Sequence, residues 1–241
     1  MLIAGSLLAQ GAPSCRTSDV ARPEPLLREA DVMWCKRVWR TIDLTDPANR
    51  TLAAGSDSSA ACGSLFDVIR YCLTTDASMT AYDPGPTCAD DRFTRAFRTT
   101  ELDSLLGRMD AADIVGYRLK EDWIFEKQRS VIMVRIIGLA PLVEVRGGDG
   151  EFRGTRESCW LYWPECRKAL AQWPVARALP EGGRPSYERL FAARRFTSTV
   201  AKVSNMDDRS LHQVLTGMDA VREAMRLERQ LHDFERDLWH Y

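Results

Sequence analysis

Apolar residues in the middle of the chain fall on alternate positions. Val115, Tyr117, Leu119, Trp123 and Phe125 are interleaved with Gly116, Arg118, Lys120 and Asp122. That period of two predicts a strand with one face buried. Glu121 interrupts the apolar face and Ile124 the polar one. A polar turn over Glu126–Ser130 leads into Val131–Leu139, apolar at nearly every position except Arg135. A strand apolar on both faces is covered from both sides. Val143–Val145 would continue it beyond Pro141, a residue expected to bend or break the ladder. Gly147-Gly148-Asp149-Gly150 reads as a turn and Cys159–Trp163 as a further strand, which together predict a mainly antiparallel sheet over about 113–163.

Flanking this sheet the spacing changes to three and four. Val32, Cys35, Trp39 and Ile42, with Trp34 and Val38 beside them, predict a helix capped by Asp31. Leu65, Phe66, Ile69, Cys72 and Leu73 predict a second helix, and a short one covers 100–108. Cys35 and Cys72 read as small core residues on these helices. Residues 45–63 and Tyr82–Pro86 have loop and turn composition. Pro164 suits the first turn of a helix over 164–172, and Ser186 can cap one through Phe196. The last helix, 216–239, carries Ala220, Ala224, Leu227, Leu231, Phe234 and Leu238 as a narrow apolar seam continued by Tyr241. Its acid-first pairs Asp219–Arg222, Glu223–Arg226 and Asp233–Arg236 lie on exposed faces. The expected fold is α+β: a small, mainly antiparallel sheet flanked by N-terminal and C-terminal helices. Residues 1–12 read as a possible signal peptide, 13–28 as an extended tether holding Pro13, Pro23 and Pro25, and 29–241 as one domain.

Composition narrows the class. A chain of 241 residues, 45% hydrophobic and 28% charged, can bury a sizeable core. The net charge of -1 and the lack of a basic run argue against nucleic-acid binding. No apolar run reaches the roughly 20 residues of a transmembrane segment. Leu2–Leu8 followed by Ala9-Gln10-Gly11-Ala12 matches the apolar core and cleavage region of a secretory signal, without the usual basic residues ahead of it. Ala12-Pro13-Ser14 before Cys15 is a poor acylation box. Seven cysteines are many for a reducing compartment, and the odd number leaves at least one free or paired between chains.

Catalytic constellations are missing from the sequence. His212, His232 and His240 offer at most half a metal site, with Glu228 four residues before His232. There is no Gly-x-Ser-x-Gly elbow and no phosphate loop, and no cofactor is expected. Glu121 and Asp122 point to opposite faces, so they cannot work as a carboxylate pair. Glu121 on an apolar face needs a partner. Arg135 on the next strand is the expected one, giving a structural ion pair in preference to a catalytic acid. Seven tryptophans exceed what one small core needs. Each tryptophan taken singly reads as a core residue, but together they imply some exposed aromatic surface for partners, for which Trp34, Trp39, Trp123, Trp163 and Trp239, with Tyr241, are the candidates.

An ordered set of segments resembles the GldN/PorN family: Asp31–Leu44, Leu65–Tyr71, Tyr117–Trp123, Lys127–Val131, Arg135–Pro141, Trp163–Arg167, Leu190–Ser198, Ser204-Asn205 and Asp237–Trp239. The resemblance runs from about residue 29 to the end. It implies a non-enzymatic periplasmic subunit of the type IX secretion system, linked to gliding motility. It also implies self-association in a ring on the inner face of the outer membrane, with a GldK/PorK-like lipoprotein and a GldM/PorM-like motor protein as partners. The alternatives are a periplasmic binding or chaperone module for cargo, using the terminal helix, and a periplasmic hydrolase built around Glu121.

Overall fold

The alternating segment forms strand β3 (Ile114–Glu126), and the apolar run after it forms β4 (Val131–Arg146). They pair antiparallel along their whole length, from Ile114 opposite Val143 to Glu126 opposite Val131. The computed structural model describes residues 15–53, 63–88, 90–179, 182–204 and 218–237. Within them β4 continues unbroken through Pro141, where a bend was expected. The Pro141 carbonyl accepts from the Ser158 N–H at 3.0 Å. The missing N–H of Pro141 therefore faces the junction between β5 (Phe152–Glu157) and β6 (Trp160–Tyr162), where one partner strand ends and the next begins. No ladder donor is needed there.

The expected helix over 31–42 is a strand, β1 (Val32–Asp43), paired antiparallel with β3. The helical spacing of Val32, Cys35, Trp39 and Ile42 is a consequence of burial on both faces. Val38, Arg40 and Ile42 point one way, while Trp39 lies on the other face, and all four are buried. A strand covered on both sides loses its alternation, and Val38, Trp39, Thr41 and Ile42 are strand-favouring residues. The α+β class holds, but the N-terminal element joins the sheet.

The sheet has seven strands in the order β2-β6-β4-β3-β1-β7, with β5 also pairing with β4. β2 (Ala81–Tyr82) and β7 (Thr199–Val203) form its two ends. The sequence pattern pointed to neither β5 nor β7. Five helices complete the described fold: α1 (Leu65–Thr74), α2 (Thr99–Leu106), α3 (Trp163–Leu170), α4 (Tyr187–Ala192) and α5 (Met218–Asp237). Ser64 caps α1 with Asp67 in a reciprocal box, and Ser186 caps α4 by accepting from the Arg189 N–H. α4 is shorter than expected, ending well before Phe196.

The main core lies between one sheet face and α1, α3 and α4. Ile42, Tyr117, Leu119 and Leu139 from the sheet meet Phe66, Ile69, Leu170, Trp173 and Phe191. The first part of the expected 45–63 loop is packed, because Asn49 ties it down. Its side chain donates to the carbonyls of Asp43 and Thr197 and accepts from the Thr197 N–H.

Cys15 is disulfide-bonded. Cys72, Cys159 and Cys166 are free and buried, whereas Cys35 is exposed and Cys88 half-buried. Cys35 therefore lies on the surface and not in a core. Burial pushes the thiols of Cys72 and Cys166 above their ordinary range and that of Cys159 up to about 12. Partial burial, then the Asp122 carboxylate, raises Cys35 as well. A raised thiol pKa leaves less thiolate at a given pH, so alkylation is slower. At pH 8, alkylation read by mass spectrometry is expected to modify Cys35 and Cys88 in the native protein. Cys72, Cys159 and Cys166 are expected to react only after denaturation, and equal labelling of the buried three in the native state would contradict this packing.

Candidate interaction surface

Residues opposite one another across a ladder share a sheet face. On the helical face, β3 presents Tyr117, Leu119, Glu121 and Trp123, opposite Ile42, Arg40, Val38 and Lys36 of β1. Ile42, Tyr117 and Leu119 belong to the main core. Val38 and Trp123 belong to a second one, with Val200 and Val203 of β7, against which Leu227 of α5 packs. Arg40 and Glu121 fall between these two apolar clusters and form a charged seam.

Glu121 is 0% exposed. Arg194, in the turn after α4, donates to it from Nη1 at 2.7 Å and from Nη2 at 3.4 Å. Trp123 Nε1 adds a third bond at 3.3 Å. Arg40 Nη2 reaches Glu228 Oε1 of α5 at 2.5 Å and the Ser198 carbonyl at 3.0 Å, while its Nε donates to Ser198 Oγ at 2.8 Å. The first pair fastens α4 to the sheet, and the second fastens α5.

The expected partner of Glu121, Arg135, is not the one found. The register shifts between Lys120 and Glu121, which sets Ile136 opposite Glu121 and Arg135 opposite Asp122. Arg135 therefore starts from the other face, where Asp122 is held by Arg37 at 2.6 and 2.7 Å. Its guanidinium donates instead to the Pro25 carbonyl. Arg194 lies 73 residues beyond Glu121, so no local spacing could have pointed to it.

The candidate interface aromatics are mostly internal. Trp163 packs edge-on against Phe191 in the main core, Trp123 lies in the second core, and Trp34 is half-buried against it. Trp39 belongs to a small third core on the opposite face, with Ala140 and Trp160. There Lys120, 3% exposed, donates to the Asp91 carbonyl at 2.7 Å and pairs with its carboxylate at 2.9 Å. Trp39 Nε1 donates to the same carboxylate at 2.6 Å. Burial lowers the Lys120 pKa and Asp91 opposes that shift. Trp239 and Tyr241 lie outside the described residues.

Among the described residues the large exposed apolar side chains are instead Val20, Leu26, Met33, Phe152, Val221 and Met225. The last two lie on α5, whose Ala224 and Leu227 are only half-buried. Among the described residues the open surface grooves include three of about 730, 500 and 360 Å³. The largest mixes Glu101, Asp113 and Glu144 with Arg108, Arg146 and Arg156. The second is lined by hydroxyls and carboxylates such as Thr41, Thr197, Asp43 and Asp46. The third lies beneath residues 22–25. Among the described residues no group of three or more His, Cys, Asp or Glu could hold a metal ion, and no helix is long and apolar enough to cross a membrane. The buried carboxylate that best resembled a catalytic acid is bonded to an arginine and an indole. This arrangement positions helices.

A family model described as gliding motility associated protein GldN matches residues 27–240. No curated protein matches the chain.

Removing Arg194 strands a fully buried carboxylate. Arg194→Ala is expected to cost about 3–5 kcal/mol in urea unfolding. Glu121→Gln keeps the shape and one acceptor and is expected to cost less, about 1–3 kcal/mol. Equal or negligible losses would show that the pair does not hold α4.

Proposed function

The chain belongs to the GldN family, and from that premise we propose that it is a structural, non-enzymatic component of the type IX secretion system. It supports protein export across the outer membrane and gliding motility. The observation that carries this reading is the family match, which spans nearly the whole chain. Two features of the fold support it. The disulfide at Cys15 suits an oxidising compartment such as the periplasm. The interior charges are engaged with one another: Glu121 with Arg194, Arg40 with Glu228, Lys120 with Asp91.

In this proposal residues 29–241 act as one domain in the periplasm. Copies associate in a ring at the inner face of the outer membrane, in contact with a GldK/PorK-like lipoprotein and a GldM/PorM-like motor protein. A chain that only chaperoned cargo would behave differently, because its loss would spare the assembly. Deleting the gene is expected to abolish export of secreted substrates. Crosslinking mass spectrometry on intact envelopes is expected to join this chain to the lipoprotein and to itself. A lone, uncrosslinked monomer in a strain that still secretes normally would sink the proposal.

A further inference from the structure

Strand β4 has an open edge. β6 meets it only at Gly138 and Leu139, and β5 only from Leu142 onward. Over Val131–Ile137, among the described residues, β4 has β3 on one side and no strand on the other. The row of backbone groups without a strand partner belongs to Val-Ile-Met-Val-Arg-Ile-Ile, a half-buried, strand-favouring stretch with one charge. Such an edge is a template for another chain, and native proteins cover it.

The cover here is incomplete. Residues 22–25, Arg-Pro-Glu-Pro, run across this edge as a strap. Arg167 of α3 pairs with the Glu24 carboxylate at 2.6 Å and also donates to the Arg22 carbonyl. Arg135 of β4 donates to the Pro25 carbonyl. Pro23 and Pro25 have no N–H, so the strap cannot complete a ladder with β4. Residues 22–26 are exposed, and Leu26 is 91% exposed, directed away from the groove. Between strap, strand and helices the groove of about 360 Å³, walled by Met133, Ile136, Trp163 and Phe191, is left unfilled. In its lining Glu188, 1% exposed, meets Arg167 through Oε1, while Oε2 has no bonding partner. The strap engages both arginines, though Arg167 Nε keeps no partner, and leaves the strand edge and the apolar hollow unused.

We propose that the β4 edge at Val131–Ile137, with Arg135 and Arg167, is the docking site for an extended acidic segment of a partner protein, and that residues 22–25 are its intramolecular stand-in. The strap itself displays the chemistry that fits: one carboxylate on Arg167 and a backbone carbonyl on Arg135. A segment without prolines keeps both contacts, adds ladder hydrogen bonds along the edge and sets an apolar side chain in the hollow. This is strand addition to a sheet edge, with pockets for alternate side chains. The strap lifts without leaving. The disulfide at Cys15 and the bond from the Thr17 N–H to the Gln172 carbonyl hold its far end, and the bond from the Lys127 N–H to the Asp31 carbonyl holds its near end. The inference rests on the reading of the chain as a protein-binding component.

The test uses the full purified chain and a fluorescein-labelled peptide copying Ala21–Leu27 with Arg22→Glu and both prolines replaced by valine, so that the probe is acidic and free to pair along the edge. Glu24→Lys sets a cation against Arg167 and lifts the strap. By removing the internal competitor it is expected to tighten peptide binding at least about fivefold by anisotropy. Binding is expected to protect the amides of Val131–Ile137 from hydrogen exchange. Adding Arg135→Ala, which removes the guanidinium that donates to the strap, is expected to weaken binding to Glu24→Lys about fivefold. No binding to Glu24→Lys, or equal binding to both chains without protection at 131–137, overturns the proposal. Strap-to-edge crosslinks between two copies of Glu24→Lys overturn it too, in favour of a second copy as occupant. The outcome is read on purified protein, so it is separate from the secretion and envelope-crosslinking result that decides the broader function.

Discussion

A carboxylate buried in the middle of an apolar sheet face persists only when it is paired, and Glu121 is such a carboxylate. Meeting that requirement fixes much of the architecture. Its partner Arg194 follows α4 directly, in a backbone conformation with φ of 50°, and reaches over the sheet at the point where the main core ends. One strand across, Arg40 makes the same demand and is answered by Glu228 of α5 and by Ser198 just before β7. The two pairs divide one sheet face into two apolar compartments. α1, α3 and α4 cover the first, and α5 with β7 closes the second. Charge here gives register and placement, and the apolar clusters on either side supply the stabilisation.

This division of labour bears on function. With its buried charges committed to placement and its tryptophans largely inside, the chain meets its surroundings through other features. These are the outer side of α5, the grooves along the sheet and the half-covered edge of β4. In the proposed reading these are the surfaces that meet partner proteins. The polar strap contacts at that edge are partly exposed, and each contributes at most about 1 kcal/mol. The strap is accordingly held by several weak bonds while the seam beneath it is held by a few strong ones.

Parts of this were legible in the sequence. The alternation from Val115 to Phe125 specified β3 because only one of its faces carries most of the polar residues. The spacing of Leu65, Phe66, Ile69, Cys72 and Leu73 announced α1, and the cap at Ser186 announced α4. The first strand was not legible, since burial of Val38, Trp39 and Ile42 on both faces produces a spacing that also fits a helix. Glu121 stood out as a carboxylate in need of a partner, but a strand bulge turns the near cation, Arg135, to the other face, and the true partner is remote in sequence. For the tryptophans the core reading holds for most, and the surplus that suggested an exposed aromatic surface is taken up inside. Three separate cores, not one, absorb Trp39, Trp123, Trp160, Trp163 and Trp173.

The central claim is that the seam holds the fold and does no chemistry. It is tested most directly by replacing both members of the Glu121–Arg194 pair with methionine in the native host and measuring stability, envelope assembly and secretion together. Well-packed apolar substitutes can take the place of a buried ion pair with little loss of stability. The account predicts a folded Glu121→Met, Arg194→Met chain that still assembles and still supports secretion. A double variant that folds and assembles normally but secretes nothing would contradict it and place the carboxylate in a reaction.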